Sequence, residues 1–298
     1  MKLSLCCISN ILAEQGIKFK KITYKSFSSM PKEDALVKVS EIAIHNLLVS
    51  LKTIIHCSEI GINGYRMSSD IFPVITHPEL NLKIEDLPQQ NLINKIFSDL
   101  KDVIQEKKIR ISAHPSEYIT LTSDNPVSIN NSINDLELHA DIFNKLDLPL
   151  NYESPLNIHI RKDGNDEELY GKFMKNYEKL SSSVKSRLVL ENNDNNKGIW
   201  STKKLVDIFY KREKIPVTFD NLHHQFLSDS LSEEEAFHLA YETWNCEPLF
   251  HYSESKNGTK AHADLPNKLP NSYGKDVMFD VELKGKDFAI LSIINKLK

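Results

Sequence analysis

Glycine is scarce in this sequence, at nine of 298 residues, and no G-x-G-x-x-G turn follows any of its apolar runs. A doubly wound, dinucleotide-binding sheet would therefore lack its phosphate turn. The four cysteines, Cys6, Cys7, Cys57 and Cys246, form no C-x-x-C pair and no even framework, so a reducing cytosol is the economical setting. No apolar stretch approaches the ~20 residues of a transmembrane helix, and no membrane partner is expected. The opening "MKLSLCCISNILA" places one Lys before an apolar run that Ser4, Ser9 and Asn10 interrupt, which suits a first buried strand better than a signal peptide. Positive charge is not in excess either: 37 Lys and Arg face 41 Asp and Glu, a formal net charge of −4. That balance speaks against a plain basic nucleic-acid coat, unless bound metal ions neutralise some of the carboxylates.

What the chain does have is a repeated unit. Short β-rich runs occur at 3–8, 65–69, 109–114, 156–160, 187–192, 216–220, 248–253 and 277–283. Helical patterns lie between them, at 34–57, 91–108, 132–146, 169–184, 201–213, 232–244 and 286–297. The first of these places Ile42, Leu47, Leu48, Leu51 and Ile54 along one stripe. In 232–244, Ser232 is the expected N-cap, and the three glutamates after it suit the helix dipole. Eight strand–helix alternations predict a (β/α)₈ barrel of the TIM type, one α/β domain over residues 1–298. The longest polar stretch, 253–275, falls between the last two strands, and a loop that long in a compact barrel points to function.

In such a barrel the carboxyl ends of the strands converge on one face, where active sites of this fold lie. Those ends carry His114, His159, Glu191, Asp220 with His223, His251 and Glu282, and the long loop adds His262 and Asp264. Any one of them is an ordinary polar residue taken alone. So many imidazoles and carboxylates gathered at the ends of apolar strands are costly to bury unless they pair or bind metal. Mixed His and carboxylate donors suit Zn²⁺, Mn²⁺ or Fe²⁺ rather than an oxygen-liganded Ca²⁺. Lys256 and Lys260 flank the loop histidine, where they can meet a phosphate backbone. Tyr118, four residues beyond His114, can stack on a base or wedge beside one.

"YRMSSDIFPVITHPE" (65–79), "AHPSEY" (113–118), "SINDLELHADIF" (132–143), "RLVLENND" (187–194), "VTFDNLHH" (217–224), "LFHYSES" (249–255), "KAHAD" (260–264) and "VELKGKDFAI" (281–290) resemble the UV damage endonuclease (UvdE) family, in collinear order over nearly the whole chain. The resemblance implies a metal-dependent barrel related in fold to endonuclease IV. It implies an enzyme that nicks duplex DNA immediately 5′ of UV photoproducts, leaving a 3′-hydroxyl. Manganese is the implied cofactor, with up to three divalent ions, and Zn²⁺, Mg²⁺ or Co²⁺ as alternatives. Carried over by motif, His114, His159 and Glu191 hold one ion. Glu191 bridges to a second held by Asp220, His251 and Glu282, and His223, His262 and Asp264 form a third site. Glu191, Asp220, His251 and Glu282 are then the catalytic set. Asp280 is the rival to Glu282, since the two point the same way on a strand. Glu117 and Tyr118 occupy the family's DNA-probing position, with Glu117 where the pattern commonly has Gln. Lys256 and Lys260 join them as DNA contacts. Three divalent ions would turn the formal charge of −4 into about +2. A cytoplasmic monomer acting on damaged duplex DNA is expected, nucleoid-associated in bacteria or nuclear in a eukaryote. The alternatives are an abasic-site endonuclease of the endonuclease IV type and a metal-dependent sugar isomerase.

Overall fold

Each of the eight β-rich runs becomes a parallel strand: β1 Lys2–Cys6, β2 Gly64–Met67, β3 Arg110–Ala113, β4 Leu156–His159, β5 Leu188–Glu191, β6 Val217–Thr218, β7 Leu249–Tyr252 and β8 Met278–Val281. The structure, a computed structural model, describes residues 1–80, 82–115, 118–160, 164–194 and 200–297. The strand order is β6-β5-β4-β3-β2-β1-β8-β7. The seam between β7 and β6 is closed by a parallel bridge between Asp220 and His251, with His251 N donating to Phe219 O at 2.9 Å. Helices cover the outside, so the architecture is the (β/α)₈ barrel. Among the described residues, no helix is long and apolar enough to cross a membrane.

The strands are short, two to five residues each, and are buried on both faces, as parallel strands are. One parity carries the apolar core: Leu3, Leu5, Tyr65, Met67, Ile111, Leu188, Leu190, Phe279 and Val281 are all buried. The other parity turns Ser4, Arg66, Ser112, Asn157 and Asp280 inward, and these are buried as well. Gly64 marks how tight that interior is. A Cβ there would stand 2.6 Å from Met278 Sδ and 2.8 Å from Ser4 Cβ, closer than packed atoms tolerate.

Several elements depart from the sequence expectation. The first strand ends at Cys6, because Cys7 takes φ +66° and Ile8 N turns back to Cys6 O at 2.8 Å. The Tyr65 hydroxyl, donating to Cys7 O at 2.9 Å, holds that turn. The long helix runs Lys32–Glu59 and buries Ile42, Leu47 and Ile54, but Leu48 is 40% exposed on its outer flank. The helix expected from 132 begins at Pro126, preset by the proline at its first turn and capped by Asn125, whose side chain accepts from Val127 N. The pattern at 169–184 splits into Asp166–Tyr177 and Ser182–Lys185, since Ser181 caps a second start. The stretch from 201 holds a π turn, Val206–Tyr210, between Thr202–Leu205 and Lys211–Glu213. Ser232 caps Glu233–Tyr241 in a capping box with Glu235.

Candidate metal centre

The donors at the strand ends meet at one mouth of the barrel. His159 and Glu191 end β4 and β5 and are register partners, while His114 directly follows β3. Asp220 lies two residues past β6, where its side chain caps Asn221–Phe226 by accepting from His223 N at 2.7 Å. Asn192 clamps it in place: Asp220 N donates to Asn192 Oδ1 at 2.8 Å, and Asn192 Nδ2 donates to Asp220 O at 3.0 Å. His251 is inside β7, and Glu282 follows β8.

Glu191 is the hub. Its carboxylate lies 3.1 Å from His114 Nε2, 3.6 Å from His159 Nε2, 3.2 Å from His223 Nδ1 and 3.1 Å from His251 Nδ1. Asn157 Nδ2 also donates to it. Among the described residues, three overlapping sets bring one donor atom per residue within 4.8 Å of one another: His114, His159 and Glu191; Glu191, Asp220 and His223; and Asp220, His251 and Glu282. Glu191 and Asp220 each belong to two sets, so the three form one continuous cluster.

Its electrostatics are those of a cluster of cation-binding groups. Burial opposes ionisation of Glu191, yet His159, His251, His114 and His223 around it hold its carboxyl well below the usual range. Glu282 is likewise held low against burial, chiefly by Arg66 and His251. Burial pushes Asp220 up, with His223 pulling the other way. Burial would lower His251, but Glu191 and Glu282 push it up to about 9, and Asp220 with Glu191 raises His223 against burial in the same way. Carboxylates and imidazoles of the cluster thus stabilise each other's charged forms against burial.

The donor set fits a divalent cation on a direct observation. Asp220 Oδ2 and His251 Nδ1 are both buried and have no hydrogen-bond partner among the described residues; the 3.1 Å approach of His251 Nδ1 to Glu191 lacks hydrogen-bond alignment. Buried polar atoms are rarely left so, and these two belong to the same set. Imidazole and carboxylate together suit transition-metal or similar divalent ions.

Residues 1–298 match the family model described as UV-endonuclease UvdE. The chain belongs to the UvdE family. A UV DNA damage endonuclease of Nostoc sp. is 30% identical over 303 residues, spanning 97% of this chain and 88% of the relative. The crystal structure of SacUVDE superposes with a TM-score of 0.82 at 30% identity, covering 100% of this chain and 98% of the other. Endonuclease IV from Thermus thermophilus shares the fold, with a TM-score of 0.59 at 12% identity, covering 100% and 99% of the two chains.

Within this UvdE-family barrel, the remaining residues singled out from the sequence do not all join the cluster. His262 stands beside it: its Nδ1 donates to Glu282 O at 2.8 Å, and its Nε2 lies 3.8 Å from Glu282 Oε2. Asp264 points away. Ala263 is pinned through Glu254 O and Lys284 N, and beyond it the exposed Asp264 carboxylate pairs with Lys256 at 2.8 Å. His223, His262 and Asp264 are therefore not brought together as a third trio, and His223 sits with Glu191 and Asp220 instead. Lys260 lies 3.6 Å from the Asp194 carboxylate. Tyr118 is 82% exposed, and Glu117 lies outside the described residues. His224 packs its buried ring on Phe219, 5.6 Å between centroids, and belongs to no donor set. Sequence reasoning missed three supports of the cluster: Asn157, Asn192 and Arg66. Arg66 carried the one available signal, a charge inside a strand otherwise built of apolar and aromatic residues.

Proposed function

We propose that this chain is a metal-dependent endonuclease that nicks duplex DNA immediately 5′ of UV photoproducts, leaving a 3′-hydroxyl. The observation that carries the reading is the continuous cluster around Glu191, with its unpartnered buried donors, in a chain of this family. His114, His159 and Glu191, Asp220 with His223, and His251 with Glu282 would hold divalent ions, with Mn²⁺ the expected metal. When bound, such ions supply Lewis-acid activation of the scissile phosphate and of water. The chain's own part is to fix the donors. Asn192 locks Asp220, Asn157 locks Glu191, and the seam bridge locks His251 against Asp220. Cleavage breaks the P–O3′ bond, water oxygen joins phosphorus, and the leaving 3′-oxygen gains a proton. Tyr118, exposed beyond His114, would occupy space opened at the lesion, where damaged bases are cheaper to unstack. Lys256 and Lys260 would exchange Asp264 and Asp194 for DNA phosphates, which makes binding salt-dependent. The enzyme would act as a cytoplasmic monomer.

The test uses Mn²⁺-loaded protein and end-labelled duplexes carrying a cyclobutane dimer, an abasic site or no damage. A nick 5′ of the dimer is expected. No nick there refutes the reading, and cleavage at the abasic site alone replaces it with an abasic-site endonuclease.

A further inference from the structure

Residues 15–32 hold five lysines and no acidic residue, in a chain whose formal net charge is −4. Lys18, Lys20, Lys21, Lys25 and Lys32 are all exposed. Between them, Phe19 and Ile22 are half-buried and pack against the core, so one side of the segment is anchored and the other is cationic. Asn46, fully buried in the helix Lys32–Glu59, fastens it down. Its Oδ1 accepts from Lys20 N at 2.8 Å, and its Nδ2 donates to Lys20 O at 3.0 Å and to Asp70 O at 2.8 Å. His45 Nε2 donates to Lys18 O at 2.8 Å. The backbone at 18–20 is thereby held to the loop that follows β2.

That loop stands at the mouth that holds the donor cluster. Ser69, two residues past β2, donates from Oγ to His114 O at 3.3 Å. A cavity of about 550 Å³ beside it is lined by Lys21, Asp70, His77 and Tyr118, among others. The ring of Tyr24 stacks on His77, 3.9 Å between centroids and 8° from parallel. Glu79 N donates to His77 Nδ1 at 3.3 Å, so the ring proton lies on Nε2, which is left free to donate. In the circular strand order β2 faces β6 across the barrel. On either side of β6 are β5, after which Asp194 meets Lys260, and β7, after which Lys256 follows. The two groups of lysines therefore flank the cluster from opposite sides.

Resting on the endonuclease reading above, we propose that residues 18–25, with His77, form a second phosphate-binding flank, which grips the duplex on the side of the mouth opposite Lys256 and Lys260. Lys21 pairs with Asp70 at 2.7 Å, but both side chains are exposed, and such a pair is worth little. A DNA phosphate can take the place of Asp70 at small cost. Lys18, Lys20 and Lys25 take part in no ion pair among the described residues and give up none on binding. Because Asn46, Phe19 and Ile22 already hold the segment, little ordering entropy is lost when DNA arrives. Contacts of this kind position a duplex without reading its sequence. A duplex held on one flank alone could still tilt away from the Glu191 cluster, whereas two flanks lay it across the mouth with Tyr118 against the base stack.

The test measures the salt dependence of binding. Mn²⁺-loaded protein is titrated into a fluorescein-labelled undamaged duplex at salt concentrations from about 50 to about 200 mM. Anisotropy gives the affinity of wild type, K18A/K20A/K25A, K18Q/K20Q/K25Q and K52A/K107A/K211A. The last variant removes the same charge from exposed lysines near the carboxyl ends of outer helices, at the far end of the barrel. Each phosphate contact adds ~0.9 to the slope of log affinity against log salt. Both variants of the segment are expected to lower that slope by ~2.7, so their loss of affinity is ~40-fold greater at the low-salt end than at the high-salt end. The far-end variant keeps the wild-type slope. A wild-type slope in the segment variants overturns the proposal. So does an equal fall in the far-end variant, which would mark net charge alone. A fall with alanine that glutamine does not reproduce also overturns it, since that would mark lost packing of the lysine stems. A wild type that binds no duplex overturns the endonuclease reading itself, an outcome distinct from failure of the variants.

Discussion

Glu191→Gln removes the charge that joins the set of His114 and His159 to the set of Asp220 and His223, while keeping the side chain's shape. Glu191 is 1% exposed, so solvent cannot replace what is lost. An outer neighbour that only hydrogen-bonds a ligand is worth ~10–100-fold in metal affinity. A shared carboxylate should reach at least the top of that range at each set it serves, about 100-fold or ~2.7 kcal/mol per site. Unfolding is not the expected cause. The Gln carbonyl can still accept from Asn157 Nδ2, and His251 and His223 lose a neighbour that raises their pKa. Burial then weighs more heavily against protonating them, with Asp220 and Glu282 still pulling the other way. Metal counting after dialysis, with isothermal titration of Mn²⁺, should find at most the ion of Asp220, His251 and Glu282. DNA cleavage should vanish while the circular dichroism spectrum is kept. A full wild-type metal complement in the variant would refute the shared-hub reasoning.

The adjacent histidines should separate cleanly. His223→Ala loses an ion, whereas His224→Ala keeps the wild-type count and instead costs ~0.5–3 kcal/mol of stability, because its ring packs on Phe219; an ion lost in His224→Ala would contradict this. Gly64→Ala forces a Cβ to within 2.6 Å of Met278 Sδ and should lower stability by about 1–3 kcal/mol in urea unfolding, so an unshifted midpoint would show that the interior yields. Metal uptake should release protons, since His251, raised to about 9, and His223, also raised, carry protons near neutral pH in the metal-free protein. Affinity should then climb with pH up to about 9, the value of His251. Calorimetric heats that do not change between buffers of different ionisation enthalpy would exclude that release.

The barrel was legible because each strand announces itself locally, as a short apolar run with turn or helix signals on both sides. The residues at the strand ends were legible for the same reason: His114, His159, Glu191, Asp220, His251 and Glu282 each interrupt such a run. Expectation and structure part where a local pattern meets a non-local competitor. Asp264, set beside His223 and His262 by the family resemblance alone, is not brought to them here: the chain is pinned at Ala263 and Lys256 draws the carboxylate outward. The split of 169–184 follows from Ser181, whose capping oxygen outcompetes a continuous apolar stripe.

Height in the barrel was the quantity least available from one strand. Asp280 and Glu282 share a face and differ by one pleat repeat, ~6.6 Å along the strand. Parity cannot tell which of them reaches the donors. The answer comes from stagger summed around the sheet: Asp280 is level with His251 in the ladder, while Glu282 N is bonded to Tyr252 O one step higher. The same stagger brings Asp220 level with His251 across the seam. The bridge that closes the barrel is therefore also the contact that joins two donor sets into one cluster. Closure and site assembly are therefore one geometric condition.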